Sequence, residues 1–268
     1  RRVPAESRDL QETLPADEHP TPGDNLYLSI DLDLQTLATE QLAGRRGAVV
    51  AIDPWNGEVL ALVSAPAFDP NLFAVGMSQA QFSALQQDMD RPLFNRAVRG
   101  TYPPGSTIKP MLALAGLETG ATNLTRRSFC RGFFTLPEST HRYRDWKKGG
   151  HGPMDLDAAI VQSCDVYFYK LAYELGVDRL NEYLGQFGFG GRTGIDLTGE
   201  STGLLPSREW KRRARRQPWY PGETLIMGIG QGYFLTTPLQ LAAATAAIAE
   251  TMTIPNEIAV TGKPIEAA

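Results

Sequence analysis

The sequence predicts an α+β domain from three observations: a β-hairpin closed by Asn-Gly, a helix that is apolar nearly all round, and further long helices without regular strand-to-helix alternation. Residues 48–53 and 58–64 are β-rich runs separated by Pro54-Trp55-Asn56-Gly57, where Asn-Gly supplies the positive φ of a tight turn. Over residues 107–119, Ile108, Met111, Leu112, Leu114, Ala115 and Leu117 cover most of a helix surface, and Gly120 fits the position just past its end. A helix of that kind belongs at the centre of a domain. The predicted architecture is therefore an antiparallel sheet flanked by helices, with this apolar helix inside.

The remaining elements follow in order. Residues 1–25 are rich in Pro, Glu, Asp and Arg without periodicity, which reads as a linker from an upstream region, leaving 26–268 as the folded domain. Residues 26–30 alternate like a short strand, and Asp31 or Asp33 can cap a helix running to about Leu42. A mixed helical segment spans about 78–88. Residues 155–162, 166–175 and 178–187 read as three more helices, with Ser163-Cys164-Asp165 at the first junction. Thr237 caps a last helix over 238–249, with Pro238 at a first position that needs no N–H.

Composition narrows the function classes. At 268 residues, with 42% apolar and 21% charged content, the chain can bury a substantial core. A formal net charge of −4 provides no global field for nucleic acid, which is excluded as a partner. The uncharged stretch 224–249 holds Gln231, Thr236, Thr237, Pro238 and several glycines, so it reads as a buried loop and core helix and not as a membrane span. No signal-peptide pattern opens the chain, because Arg1-Arg2-Val3-Pro4 leads into charged residues.

Ser106 and Lys109 stand three apart at the start of the apolar helix, which places their side chains on one face. Pro110 is tolerated only in a first turn and so also puts the helix start at Ser106. A hydroxyl there would lie at the positive end of the helix, and a lysine pressed between Ile108 and Met111 gives up its proton more easily. The spacing Ser-x-x-Lys alone arises about once by chance in a chain this long.

Its context is more specific. Arg-Gly-Thr-Tyr-Pro-Pro-Gly-Ser-Thr-Ile-Lys-Pro, residues 99–110, resembles the active-serine motif of class B penicillin-binding proteins, the transpeptidases that cross-link peptidoglycan. Ser163-Cys164-Asp165 resembles their second motif. Tyr143-Arg144-Asp145-Trp146-Lys147-Lys148, Thr193-Gly194-Ile195-Asp196-Leu197 and Gly228-Ile229-Gly230-Gln231-Gly232-Tyr233 are similar to segments of the elongation-type branch. The resemblance spans roughly residues 26–249 and implies a β-lactamase/transpeptidase-like fold. It also implies that Ser106 attacks the penultimate D-alanine of a stem peptide ending in D-Ala-D-Ala, with Lys109 as base and Ser163 as proton relay. Asp165 stands where Asn is commoner; a carboxylate accepts but does not donate, and beside Lys109 it favours the charged lysine.

The same resemblance implies inhibition by β-lactam antibiotics and a place on the periplasmic face of the inner membrane, held by an N-terminal transmembrane helix outside this sequence. Membrane-embedded glycan polymerase and cell-shape proteins are its implied partners, and catalysis needs no cofactor. A Lys-Ser-Gly or Lys-Thr-Gly strand is also implied after Ser207; Lys263, in the order Thr-Gly-Lys-Pro, is left without a role. The rivals are a β-lactamase or β-lactam sensor of the same fold, and a non-catalytic binding module.

Cys130 and Cys164 are the chain's two cysteines, and with Asp145 and His151 they form a candidate structural Zn²⁺ site of S, O, N and S donors. A disulfide and two free buried thiols are the alternatives. Zinc is favoured because Cys164 lies inside the second motif and His151 sits in a Gly-Gly-His-Gly loop with no apolar pattern to explain it. His141 is less well placed, and His19 lies in the linker. Finally, Lys211, Arg212, Arg213, Arg215 and Arg216 form a basic run that reads as a solvated face, with anionic lipid or a partner as the alternative.

Overall fold

A computed structural model describes residues 26–74 and 76–252. The predicted linker, His19 and Lys263 lie outside the described residues.

Helix α1 (Leu32–Gln41) starts where Asp31 accepts from the Leu34 amide, so of the two expected caps Asp31 is the one used. Strands β1 (Gly47–Ile52) and β2 (Val59–Ala65) form the expected antiparallel hairpin, with a register irregularity at Ala51 and Ile52. The expected strand at 26–30 is absent. Ser29 Oγ donates to the Val59 carbonyl and the Asp31 amide to Leu60, but Leu26, Tyr27 and Leu28 are exposed, with no sheet face to cover their apolar side. After a short α2 (Asn71–Ala74), Ser78 and Gln81 close a reciprocal cap on α3 (Gln79–Gln87).

The apolar helix is α4 (Lys109–Glu118), preceded by a 3₁₀ turn over Gly105–Ile108. Four short strands follow: β3 (Ser128–Cys130), β4 (Phe133–Phe134), β5 (Tyr143–Arg144) and β6 (Gly152–Met154). Strand β3 pairs with β6 and β4 with β5, both antiparallel, so the described residues hold three two-stranded sheets. Then come α5 (Leu156–Val161), capped by Asp155, and α6 (Asp165–Gln186). The two helices expected over 166–187 run as one element broken at Gly176, whose φ of 75° and ψ of 161° leave the helical region. Helices α7 (Arg208–Arg215), α8 (Pro221–Met227) and α9 (Pro238–Met252) complete the described chain. Among the described residues no helix is long and apolar enough to cross a membrane.

The main core gathers around α4, α6 and α8: Ile108, Met111, Leu112, Phe168, Leu180, Leu225 and Phe234 are fully buried. Each such side chain contributes about 1.5–3 kcal/mol by leaving water. A smaller cluster of Ala97, Val98 and Leu239 joins α9 to the β1–β2 hairpin. Residues 228–232 tie these layers to the segment before α4. The Gly105 amide donates to the Gly230 carbonyl at 2.8 Å, and a Cβ at Gly230 would overlap the Gly105 backbone. Glycine is required there by close backbone approach as well as by its φ of 69°.

Candidate active site

Ser106 lies in the 3₁₀ turn and not in the first turn of the α-helix. Thr107 Oγ1 donates to the Pro104 carbonyl at 2.7 Å and the Lys109 amide to the Ser106 carbonyl, which tightens the chain by one residue before α4 begins. The turn leaves Ser106 exposed while Ile108 and Lys109 point into the core. Pro110 fits because it stands at the start of α4, where no intrahelical donor is lost.

Lys109 is 1% exposed, and its ammonium is fully engaged by the second motif. Nζ donates to the Ser163 carbonyl at 2.9 Å, to Ser163 Oγ at 3.0 Å and to Asp165 Oδ1 at 2.7 Å, and it lies 5.3 Å from the centre of the Phe168 ring. Three N–H donors meet three oxygen acceptors, the condition for burying a lysine without a large desolvation cost. Ser106 Oγ is not among these partners. The structure thus brings Lys109, Ser163 and Asp165 together and sets Ser106 one turn away.

Ser163 has a φ of 52°, in the left-handed region that costs a non-glycine residue about 1–2 kcal/mol. The strain is held by the α5–α6 junction, where the Cys164 amide donates to Ala159 and the Ser163 amide to Ile160. This conformation turns both oxygens of Ser163 toward Lys109. On the other side of Asp165, Oδ2 accepts the Trp146 amide at 3.2 Å, and the Trp146 indole donates to the Gln162 carbonyl. Sequence reasoning passed over Trp146 as a positioning group; its contacts arise from chain separated by 16 and 19 residues, beyond any local pattern.

Beside Trp146, the four candidate metal ligands converge. The donor atoms of Cys130, Asp145, His151 and Cys164 lie within 4.8 Å of one another. Asp145 Oδ2 is 3.5 Å from each thiol sulfur and accepts the Val166 amide; Oδ1 accepts the Lys147 amide and lies 3.5 Å from His151 Nδ1. His151 Nδ1 is also 3.6 Å from Cys130 Sγ. A tetrahedral ion with bonds of about 2.0–2.3 Å has donor-to-donor edges of about 3.3–3.8 Å, so the separations of 3.5–3.6 Å lie in that range, while those approaching 4.8 Å would have to close for one ion to touch all four donors. Burial works against ionisation of Asp145, but the Val166 and Lys147 amides, with His151 nearby, outweigh it and hold the carboxyl below the usual range. Burial raises the Cys164 thiol. The buried His151 Nε2 has no hydrogen-bond partner, which leaves Nδ1 as the nitrogen turned to the cluster.

Four members of the basic run lie on a solvated face as expected, and one does not. Lys211 is 1% exposed, paired with Glu223 and covered by the Tyr220 ring at 4.2 Å, whereas Arg212, Arg213, Arg215 and Arg216 are exposed. The lysine is drawn inward because a carboxylate 12 residues away and an aromatic face together replace its water.

With this geometry in hand, comparison with known families gives a match to the penicillin binding protein transpeptidase domain over residues 47–264. The chain belongs to this family. Among penicillin-binding transpeptidases it is 55% identical over 227 residues to the peptidoglycan D,D-transpeptidase MrdA of Acinetobacter baumannii, covering 85% of this chain and 34% of that protein. It is 48% identical over 225 residues to MrdA of Escherichia coli K12, with coverages of 84% and 36%. A Pseudomonas aeruginosa PBP2 crystal structure in complex with WCK 5153 superposes with a TM-score of 0.83 at 54% identity, covering 87% of this chain and 53% of that one. The chain therefore spans about a third of the length of these curated relatives. The penicillin-binding transpeptidase fold agrees with the β-lactamase/transpeptidase-like class expected from sequence.

Proposed function

We propose that this domain is a serine-type peptidoglycan D,D-transpeptidase of cell-wall elongation. The observation that carries the reading is an exposed Ser106 one turn from a buried Lys109 that is fastened to Ser163 and Asp165. Ser106 Oγ attacks the penultimate D-alanine carbonyl of a stem peptide, the terminal D-alanine departs, and an acceptor amine takes the acyl group. Nζ takes the serine proton as the neutral amine, whose two N–H donors remain for the oxygens of Ser163 and Asp165. Ser163 Oγ is a relay for that transfer, and it can pass a proton onward to the leaving amine. Asp165 fixes the lysine and, through the Trp146 amide, the adjoining loop. A β-lactam imitates the D-Ala-D-Ala end and is attacked at the same oxygen. Catalysis on this reading uses no cofactor.

Treatment with benzylpenicillin followed by intact-mass and peptide mass spectrometry tests it. One acyl adduct on the peptide containing Ser106, released slowly, is the expected result. Rapid release with hydrolysed drug would instead identify a β-lactamase, and no adduct a binding module. A solved complex joins the Helicobacter pylori PBP2 to MreC, and another structure is described as a peptidoglycan synthase complex. Those complexes support a partner of the MreC kind and a partner that polymerises peptidoglycan; that these are cell-shape proteins and a membrane-embedded glycan polymerase, met on the periplasmic face of the inner membrane, is proposed from the family resemblance.

Zinc is proposed as a structural ion on Cys130, Asp145, His151 and Cys164. It would supply the positive charge that a buried aspartate and two thiolates require, and so fix the loop carrying Trp146 against the second motif. Elemental analysis is expected to give one zinc per chain, and a strong chelator to lower the melting temperature. Because burial raises the Cys164 thiol, loading should release protons and weaken as pH falls. Metal-free protein as stable as the purified form, or a Cys130–Cys164 disulfide in its mass, would overturn the assignment.

A further inference from the structure

Lys211, near the middle of α7, plays no part in the chemistry described above, yet it is as fully buried as Lys109. Among the described residues one oxygen accepts from its ammonium, Glu223 Oε1, and the centres of the Tyr220 and Tyr233 rings lie 4.2 and 5.9 Å from Nζ. A methionine would fill the same space without burying a charge, so packing alone does not call for lysine here. What the ammonium adds is a tie between elements.

Helix α7 is fixed on α6: Arg208 Nε donates to Asp178 Oδ2 at 2.9 Å, and Asn181 Nδ2 donates to the Pro206 carbonyl at 3.1 Å. From that base Lys211 reaches two points that bracket residues 228–232. One is Glu223 in the first turn of α8, whose Oε2 accepts the Tyr220 amide at 2.8 Å. The other is Tyr233, against which Trp210 of α7 also packs, with ring centres 5.1 Å apart. Between these points the chain folds back on α8, the Gly230 amide donating to the Met227 carbonyl at 2.9 Å and the Gln231 amide to Ile226 at 3.1 Å. The bracketed segment then holds the approach to the serine. The Gly230 carbonyl accepts the Gly105 amide at 2.8 Å, and Tyr102 and Thr236 exchange two backbone hydrogen bonds of 2.9 Å. The chain entering Ser106 is thus fastened at Tyr102 and at Gly105, both times to the stretch on which Lys211 pulls.

We propose that Lys211 is a positioning residue for acylation: it clamps the start of α8 and the Tyr233 ring to α7, and so fixes the 228–236 stretch that holds the Ser106 turn in place, an inference that rests on the transpeptidase reading. Lys211 touches neither substrate nor the reacting atoms. It acts through Glu223 and Tyr233, then Gly230, then Gly105. A nucleophile displaced by about 1 Å loses on the order of a hundredfold in rate, so a clamp at this remove acts on the chemical step and not on how the acyl donor is first bound.

The test compares the full-length protein with Lys211→Met and with the double variant Lys211→Met, Glu223→Gln, which leaves no charge unpaired. Stopped-flow acylation by benzylpenicillin is resolved into the dissociation constant of the initial complex, the first-order acylation rate constant and the fraction of chains acylated at completion. Lys211→Met is expected to lower the rate constant by about tenfold to a hundredfold, with the dissociation constant and the acylated fraction close to wild type. The double variant should recover the melting temperature and stay slow, and it carries the same comparison where the single variant fails to fold. A merely structural lysine would instead reduce the fraction of chains that react, the folded remainder acylating at the wild-type rate. That result overturns the proposal, as does a double variant in which rate and melting temperature recover together. If benzylpenicillin leaves Ser106 of the wild-type protein unmodified, the transpeptidase reading itself fails, an outcome distinct from any effect of Lys211.

Discussion

Replacing Lys109 with methionine is expected to slow penicillin acylation of Ser106 by about three orders of magnitude while the fold survives. The magnitude follows from the loss of a positioned proton acceptor, which is worth about 10²–10⁴-fold in rate, together with loss of the cation that holds Ser163 and Asp165 in place. Methionine has nearly the same length and suits a position that is 1% exposed among Ile108, Met111 and Phe168. Stability should fall by about 2–3 kcal/mol, less than for a fully buried pair, because the Asp165 side chain is 14% exposed and keeps the Trp146 amide. Stopped-flow acylation and circular dichroism on one preparation separate the two effects. Acylation within tenfold of wild type would show that another group takes the serine proton.

This expectation differs from the simplest reading of Ser-x-x-Lys, and the difference shows what local sequence can carry. The motif places Ser106 and Lys109 on one face, but the partners of Lys109 come from Ser163 and Asp165, more than 50 residues away. Their approach depends on how α4 packs against α6 and on the left-handed backbone at Ser163. Where a signal is local, it was legible: the Asn-Gly hairpin, the Asp31 cap, the helical segment near 78–88 and the break between the helices ending at Leu175 and starting at Asp178 all appear close to their expected places. Residues 26–30 alternate correctly yet form no strand, because the segment reaches the start of β2 only through the Ser29 hydroxyl and the Asp31 amide and no backbone ladder extends from there. Strands of two or three residues, such as β4 and β5, are too short to show a period. Lys211 was misread for the opposite reason: a charge run looks solvated until a distant Glu223 and two tyrosines enclose one of its members. The Cys130, Asp145, His151 and Cys164 set was legible because nothing apolar explained those residues, although their proximity depends on the β3–β6 pairing and the α5–α6 junction.

Asp145→Ala is expected to damage stability and acylation together. The side chain is 5% exposed as a residue and accepts the amides of Val166 and Lys147 while facing both thiols and His151. Alanine leaves the Val166 amide without its acceptor at the start of α6, and an unsatisfied buried donor costs about 1–3 kcal/mol. Loss of the Lys147 contact and of one ligand brings the total to about 3–5 kcal/mol, or a melting temperature lower by roughly 8–15 °C for a domain of this size. In metal-free protein the carboxyl is held below its ordinary value of about 3.9. Its stabilisation is therefore complete at neutral pH and is lost as pH falls below about 4 through the folded-state value. Asp145→Asn distinguishes the two roles of the side chain. The amide retains an oxygen for one backbone donor but removes the negative charge, so zinc content should fall by tenfold or more while the melting temperature lies between those of wild type and Asp145→Ala. An asparagine variant with full zinc content would show that Asp145 is only a backbone acceptor. If zinc and stability were lost while acylation kept its wild-type rate, the cluster would not position the second motif, because the Trp146 amide that reaches Asp165 is carried by the residue next to Asp145.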